Sequence, residues 1–468
     1  MFDRSSESRT FTPGSGTEET GNMRGRNRAR RPVVLSGLFG ALLAVALVGF
    51  VSLGTGLAQP GEREPGVEGS PEGRPGGGKA KNVILLIGDG MGESEITIAR
   101  NYEKGAAGRL ALDALPLTGD YTTYAVQEDD PSKPDYVPDS AATGTAWATG
   151  EKTSNGRIST TPGTDRDLKT ILELAQEAGY KTGDVSTAEL TDATPAVLAA
   201  QVRDRSCQGP QNMAECPQDR KSNGGPGSIA EQEVDEGVDV LLGAGRLRFE
   251  QVIDGGPDSG KTVIQSAERQ GYRVIGTAQE LEMARSGQKL LGLFNAGNMS
   301  LEWTGQPAAP EPGTGPQRCQ EGRRPDNEPS LAQMTQKSIE LLEQRPGKGK
   351  AKGRPGFFLQ VEGASIDKRD HAFNPCEQIG ENVAFDEAVK VALDYQKKNP
   401  ETLVIVTGDH AHTSQIIPTD ATSPGKVSTL ITADEAEMKV NYGTEKGIQT
   451  HTGSQIRVAA QGPILNYS

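Results

Sequence analysis

A chain of 468 residues with 34% apolar residues and 59 Gly is loop-rich, yet long enough for one large domain or two or three ordinary ones. Its formal charge is −14, and residues 1–31 hold seven Arg against four Asp or Glu, so the rest of the chain carries −17. That field argues against nucleic acid as a partner, and any phosphate site in it needs strong local positive charge.

Arg24, Arg26, Arg28, Arg30 and Arg31 precede the apolar run Val33 to Val51, which leads into Gly-Thr-Gly-Leu-Ala58. A basic segment, a long apolar run and small residues before a cleavage point describe an export signal over residues 1–58. Residues 33–51 are also long enough to tether the chain to a membrane if the signal is not cut. The Arg30-Arg31 pair permits a twin-arginine route. Residues 59–79 are rich in Pro, Gly and Glu and read as a flexible linker. Residues 80–468 read as one domain with insertions.

From Lys81 onward, strand-like and helix-like stretches alternate, which predicts an α/β fold with a mostly parallel sheet. Strands are predicted at Asn82–Ile87, Lys181–Val185, Val238–Leu242, Leu290–Phe294, Phe357–Val361, Leu403–Thr407 and Gln455–Ala460. Helices are predicted at Asp167–Ala178, Ser330–Leu342 and Gly380–Lys398. Polar, Gly- and Pro-rich stretches near 209–227 and 304–329 read as surface loops.

The first strand runs into Gly88-Asp-Gly-Met-Gly92. This is not a complete nucleotide loop, and Asp89 would repel phosphate unless a metal sat between them. Next, Asp139-Ser140 followed by small residues reads as a helix start with Ser140 at or near its cap. A serine at the positive end of a helix suits a nucleophile, but no His lies near it in sequence, so a metal would have to activate it.

The segment Val361-Glu-Gly-Ala-Ser-Ile-Asp-Lys-Arg-Asp-His371 follows a predicted strand, and Asp367 and His371 are four apart, on one face of a helical turn. Only four His occur: His371, His410, His412 and His451. His410 and His412 follow another predicted strand, beside Asp409, and His451 precedes the last. Imidazoles gathered beside strand ends and acidic groups point to bound zinc rather than scattered core histidines.

Four Cys fit an exported protein. Cys207 and Cys216 flank a short polar loop, Cys319 and Cys376 could join distant segments, and three pairings are open. No C-x-x-C spacing exists, which favours disulfides over a cysteine-zinc site.

Taken together and in order, I-G-D-G-M-G, P-D-S-A-A, S-T-A-E-L-T-D-A-T-P-A, V-E-G-A-S-I-D-K-R-D-H, V-T-G-D-H-A-H and H-T-G-S-Q resemble the bacterial alkaline phosphatase family, from about Lys81 to Gly462. The resemblance implies a three-layer α/β sandwich: a large, mostly parallel central sheet with helices on both faces. It implies hydrolysis of small phosphate monoesters through a phosphoserine on Ser140, with two zinc ions and one magnesium ion per subunit. Asp367, His371 and His451 match the ligands of one zinc, and Asp89, Asp409 and His410 those of the other. Asp89, Thr194 and Glu362 match the magnesium ligands, with Asp192 and Lys368 acting through water. Arg205 matches the phosphate clamp and His412 a group that steadies a zinc ligand. The family pairs Cys207–Cys216 and Cys319–Cys376 and is usually a homodimer.

Two zinc ions about 4 Å apart can hold the attacking and leaving oxygens of an in-line displacement. The family continues past the last predicted strand into a closing helix, whereas this sequence stops at Ser468, so the surface beneath that helix is expected to be exposed. The rival readings are a sulfatase or phosphodiesterase on the same metal architecture, or an exported binding protein without turnover. Sulfatases need a modifiable residue in a C/S-x-P-x-R context, which Ser140 lacks.

Overall fold

The computed structural model describes residues 79–322, 324–343, 355–443 and 447–463, all within one compact unit. The predicted export signal, all but the last residue of the linker, and residues 464–468 lie outside the described residues.

Nine strands build the central sheet: β1 (Asn82–Gly88), β2 (Leu117–Tyr121), β3 (Lys181–Glu189), β4 (Val240–Ala244), β5 (Tyr272–Ile275), β6 (Lys289–Leu293), β7 (Phe357–Gly363), β8 (Thr402–Gly408) and β9 (Ile456–Gln461). Their order is β2-β9-β8-β1-β7-β3-β4-β6-β5. Every pairing from β8 to β5 is parallel, while β9 runs antiparallel to both β8 and β2. The central strands Asn82–Gly88, Phe357–Gly363 and Thr402–Gly408 are near-continuous apolar runs because helices cover both faces of a parallel sheet.

Among the helices that position the site or cover the sheet are α1 (Glu93–Lys104), α2 (Ser140–Thr149), α3 (Ala193–Ala199), α4 (Leu331–Leu342), α5 (Ser365–His371) and α6 (Pro375–Lys398). One apolar core joins Ile84, Leu86 and Leu359 to Met334 of α4 and Phe385 of α6. The other joins Leu241, Leu291 and Phe358 to Ala141 of α2 and Val197 of α3. These cores make the predicted three-layer sandwich. The register pairs Gly88 with both Gly363 and Gly408, so three neighbouring strands end at one level. That alignment sets Asp89, Glu362 and Asp409 side by side at the carboxyl edge, where open α/β sheets hold their ligands.

All seven predicted strands belong to this sheet, with ends shifted by one or two residues except in β3, which runs on to Glu189. The helix predicted from Asp167 starts at Ile171, because Thr170 and Glu173 form a capping box and Asp167 bridges to Thr160. The helix predicted from Gly380 starts five residues earlier, with Asn374 as its cap and Pro375 in its first turn. Residues 304–329 are not simply a surface loop. They contribute Ala309–Pro310 and Thr314–Gln317 to a small sheet with Lys426–Ile431, Glu437–Tyr442 and Ser414–Ile417. Both disulfides, Cys207–Cys216 and Cys319–Cys376, are formed.

Candidate active site

Ser140 is the first residue of α2, one position past the cap. Asp139 is the cap, its carboxylate accepting from Ala142 N at 2.9 Å. The Ser140 hydroxyl therefore sits at the positive end of the helix, buried, 3.2 Å from His410 Nε2 and 3.3 Å from Asp89 Oδ1.

Two acid–imidazole groups flank that hydroxyl. Asp89, Asp409 and His410 form one, all buried, with ligand atoms within 4.8 Å of one another. His410 Nε2 lies 3.4 Å from Asp89 Oδ1 and 3.3 Å from Asp409 Oδ2. Asp409 is aimed by the backbone N–H groups of Gly90 and His410, each donating to Oδ1 at 2.8 Å. Burial, reinforced by the neighbouring carboxylates, pushes both Asp89 and Asp409 above the usual carboxylate range. Burial also pulls His410 well below the usual imidazole value. Such a cluster ionises readily only around a cation.

The second group is Asp367, His371, His412 and His451. Helix α5 supplies Asp367 and His371 one turn apart, as their spacing predicts. A two-residue antiparallel pairing sets His412 opposite His451. His371 Nδ1 lies 2.6 Å from the Gln449 carbonyl and His451 Nδ1 lies 2.9 Å from the Pro138 carbonyl. Those carbonyls require protons on Nδ1 and leave the Nε2 lone pairs facing each other at 3.1 Å. They meet near Asp367 Oδ1, 3.3 Å from one and 3.2 Å from the other. Facing lone pairs repel unless a cation or proton lies between them, so the donor set fits a divalent metal. Burial would raise the Asp367 pKa, but the neighbouring His412 and His451 imidazoles hold it well below the usual range.

His412 stands apart within this group. Its Nε2 is 2.6 Å from Asp367 Oδ1 and its Nδ1 contacts Gln449 Oε1, so both ring nitrogens are engaged by protein. Gly90 allows this approach: at φ +69°, an added Cβ would lie 2.7 Å from the His412 ring and 2.9 Å from Asp367 Cα.

Beyond these groups, Glu362, next to last in β7, faces Ser186 of β3 and accepts from its hydroxyl. Burial pushes Glu362 up to about 7, with Lys368 and the Ser186 and Thr194 hydroxyls opposing. Thr194 is buried in α3. Arg205 spans the other side of the mouth, donating to Asp139 Oδ2 at 3.1 Å and to Asp192 Oδ1 at 2.8 Å. Lys368 Nζ holds the other Asp192 oxygen at 2.8 Å. These two cations outweigh burial and depress the Asp192 pKa.

Every residue singled out from sequence thus gathers at one carboxyl edge, apart from the disulfide cysteines. Sequence reasoning missed three supporting residues: Asp139, Ser186 and Gln449. Asp139 lies inside the P-D-S-A-A motif, and only its dual bond to Ala142 and Arg205 reveals it. Gln449 lies two residues before His451 with no periodic signal, and it acts partly through its backbone.

A covered parallel sheet with paired acid–imidazole clusters beside a capped serine places the chain among α/β hydrolases, with two side-chain groups that could hold metal ions. The alkaline phosphatase family model matches residues 80–461, and the chain belongs to that family. It is 53% identical to streptomycin-6-phosphate phosphatase of Streptomyces griseus, over 84% of this chain and 88% of that protein. It is 50% identical to alkaline phosphatase of Escherichia coli (strain K12), over 82% of this chain and 81% of that one. Alkaline phosphatase from the Antarctic bacterium TAB5 superposes with a TM-score of 0.60 at 25% identity, covering 82% of this chain and 91% of that one.

Proposed function

We propose that this enzyme hydrolyses phosphate monoesters by a double displacement through a phosphoserine on Ser140. The observation that carries the reading is the placement of the Ser140 hydroxyl against His410 and Asp89, at a helix start and beside a second imidazole group. Asp367, His371 and His451 would hold one zinc, and Asp89, Asp409 and His410 the other. Asp89, Thr194 and Glu362 would hold magnesium, with Asp192 and Lys368 reaching it through water. Bound there, the cations would lower the pKa of the serine hydroxyl and neutralise charge on the attacking and leaving oxygens.

The chain's own residues do the rest. Ser140 attacks phosphorus as the ester P–O bond opposite it breaks, and the alcohol leaves. Arg205 would present its guanidinium to two nonbridging oxygens, a bidentate fit that Lys cannot match. Asp139 and Asp192 keep that guanidinium at the mouth, and Lys368 anchors Asp192. His412 holds Asp367 by Oδ1, the same oxygen that faces His371 and His451. Water then attacks the phosphoserine, restoring Ser140 and releasing phosphate. Uncatalysed monoester hydrolysis is slow enough that positioning and charge must supply roughly 20 kcal/mol.

The same proposal includes export, which the two disulfides support because they persist in oxidising compartments. It also includes the homodimer that the family resemblance implies. A panel of an aryl phosphate monoester, a diester and a sulfate ester tests the reaction class. The monoester is expected to turn over fastest at alkaline pH, and a preferred diester or sulfate would overturn the reading.

A further inference from the structure

Between α1, α5, α6 and the small sheet lies a second group of polar side chains that the proposed chemistry does not use. Ser414 and Tyr442 are register partners on adjacent antiparallel strands, so their side chains share a face. The Ser414 hydroxyl donates to Glu95 Oε1, which brings Glu95 of α1 to that face. Gln378 and Asn382 lie one turn apart on α6, and Gln378 Nε2 donates to the Glu95 carbonyl at 3.4 Å. Asp370 enters from α5. Three residues on, the Phe373 ring meets the Tyr442 ring edge-on at 6.1 Å, which brings the end of α5 against the same strand pair.

Glu95, Asp370, Gln378, Asn382 and Tyr442 are all 0% exposed. Among the described residues, six of their oxygens have no hydrogen-bond partner: both of Asp370, Glu95 Oε2, Gln378 Oε1, Asn382 Oδ1 and the Tyr442 hydroxyl, and the Asn382 amide nitrogen has none either. Each such atom would cost about 1–3 kcal/mol if left unsatisfied, so the group needs an occupant. No Lys or Arg side chain bonds to either carboxyl among the described residues.

We infer that Glu95, Asp370, Gln378, Asn382 and Tyr442 bind a calcium ion, at a site sharing no residue with the two acid–imidazole groups. Two carboxylates balance a dication. The oxygen-rich set matches the six to eight hard ligands calcium takes, whereas zinc prefers imidazole and thiolate, and magnesium keeps waters for which a fully buried site leaves little access. The ion would tie α1 and the small sheet to the helix pair that carries Asp367 and His371.

The test uses the purified holoenzyme with zinc and magnesium kept saturating, so it does not depend on which residues hold those metals. Elemental analysis of the wild type is expected to find one calcium per chain, absent from Asp370→Asn and from Glu95→Gln. Added calcium is expected to raise the Tm of the wild type and leave that of the Asp370→Asn protein unmoved. Tyr442→Phe removes one ligand without altering charge, and is expected to weaken calcium binding while still folding. A calcium-free wild type whose Tm ignores calcium would overturn the inference, leaving the group to water and protonated carboxyls. Equal calcium in wild type and variants would also overturn it, since the ion would then sit elsewhere.

Discussion

His371 and His451 aim their Nε2 atoms at each other across 3.1 Å, while a backbone carbonyl fixes each ring from its Nδ1 side. The two residues are 80 positions apart, yet their rings are pre-oriented before any ligand arrives. A metal site organised this way loses little entropy on binding, because the protein has already fixed its donors.

The nucleophile assignment is the simplest to test. Ser140→Ala removes one oxygen from a buried site and leaves the Asp139 cap in place. The variant is expected to fold and bind metal like the wild type while kcat falls on the order of 10⁶-fold, the scale seen when serine enzymes lose their nucleophile. Undiminished turnover would remove Ser140 from the mechanism.

His412 and the proposed zinc ligands His371 and His451 should behave differently. With both ring nitrogens engaged by Asp367 and Gln449, His412 acts by orienting Asp367. His412→Asn is expected to weaken zinc affinity about 10–100-fold, with activity returning as zinc is added. His451→Asn should stay impaired at any zinc concentration. Titrating zinc against activity separates the two, and identical curves would put His412 among the direct ligands.

Gly90 is required by close approach as well as by its positive φ. In Gly90→Ala the new methyl would overlap the His412 ring and the Asp367 backbone. Backbone strain alone is worth about 1–3 kcal/mol. Denaturant unfolding should show that loss together with weaker zinc binding, whereas a variant with wild-type zinc affinity would mean that the Gly90 turn does not position the site.

Glu381 gives the protein a pH dependence far from the chemistry. It is buried on α6, accepts from Glu302 N at 3.0 Å, and burial pushes its pKa from 4.5 up to about 8, with the Glu302 charge adding to the rise. The folded state therefore holds a proton that the unfolded chain releases near 4.5. Stability is fully present below that pH and declines until about 8. Glu381→Gln keeps the neutral form at every pH. Its stability relative to the wild type should rise by on the order of 5 kcal/mol between about pH 4 and about pH 9. Urea unfolding at both pH values reads the difference, and a constant gap would contradict it.

The two disulfides should differ in worth because they close loops of different length, 9 against 57 residues of separation. The chain-entropy relation gives roughly 2.5–3 kcal/mol for Cys207–Cys216 and roughly 4 kcal/mol for Cys319–Cys376. Paired Cys→Ser variants, compared by urea unfolding, are expected in that order. The reverse order would show that native-state strain outweighs loop closure.

Much of this molecule is legible in its sequence because its central strands are apolar runs that end in chemistry. Asn82–Gly88, Phe357–Gly363 and Thr402–Gly408 announce themselves as buried parallel strands, and each leads into site residues. Strands Leu117–Tyr121 and Tyr272–Ile275 are not legible. The first is a largely exposed edge strand with Gly and Asp inside it, and the second spans only four residues. The small sheet is hidden because its strands come from segments more than a hundred residues apart, one of them within a Pro- and Gly-rich stretch. In the site, residue types reveal the acids and imidazoles. Backbone carbonyls of Pro138 and Gln449, which fix the histidine tautomers, carry no signature in a sequence.

The proposed mechanism would place one zinc ion in each of the two acid–imidazole groups. Anomalous diffraction at the zinc edge from crystals of the holoenzyme tests this most directly. The expected map has one peak among Asp367, His371 and His451 and a second among Asp89, Asp409 and His410. An active enzyme with no zinc peak between the facing Nε2 atoms of His371 and His451 would contradict it.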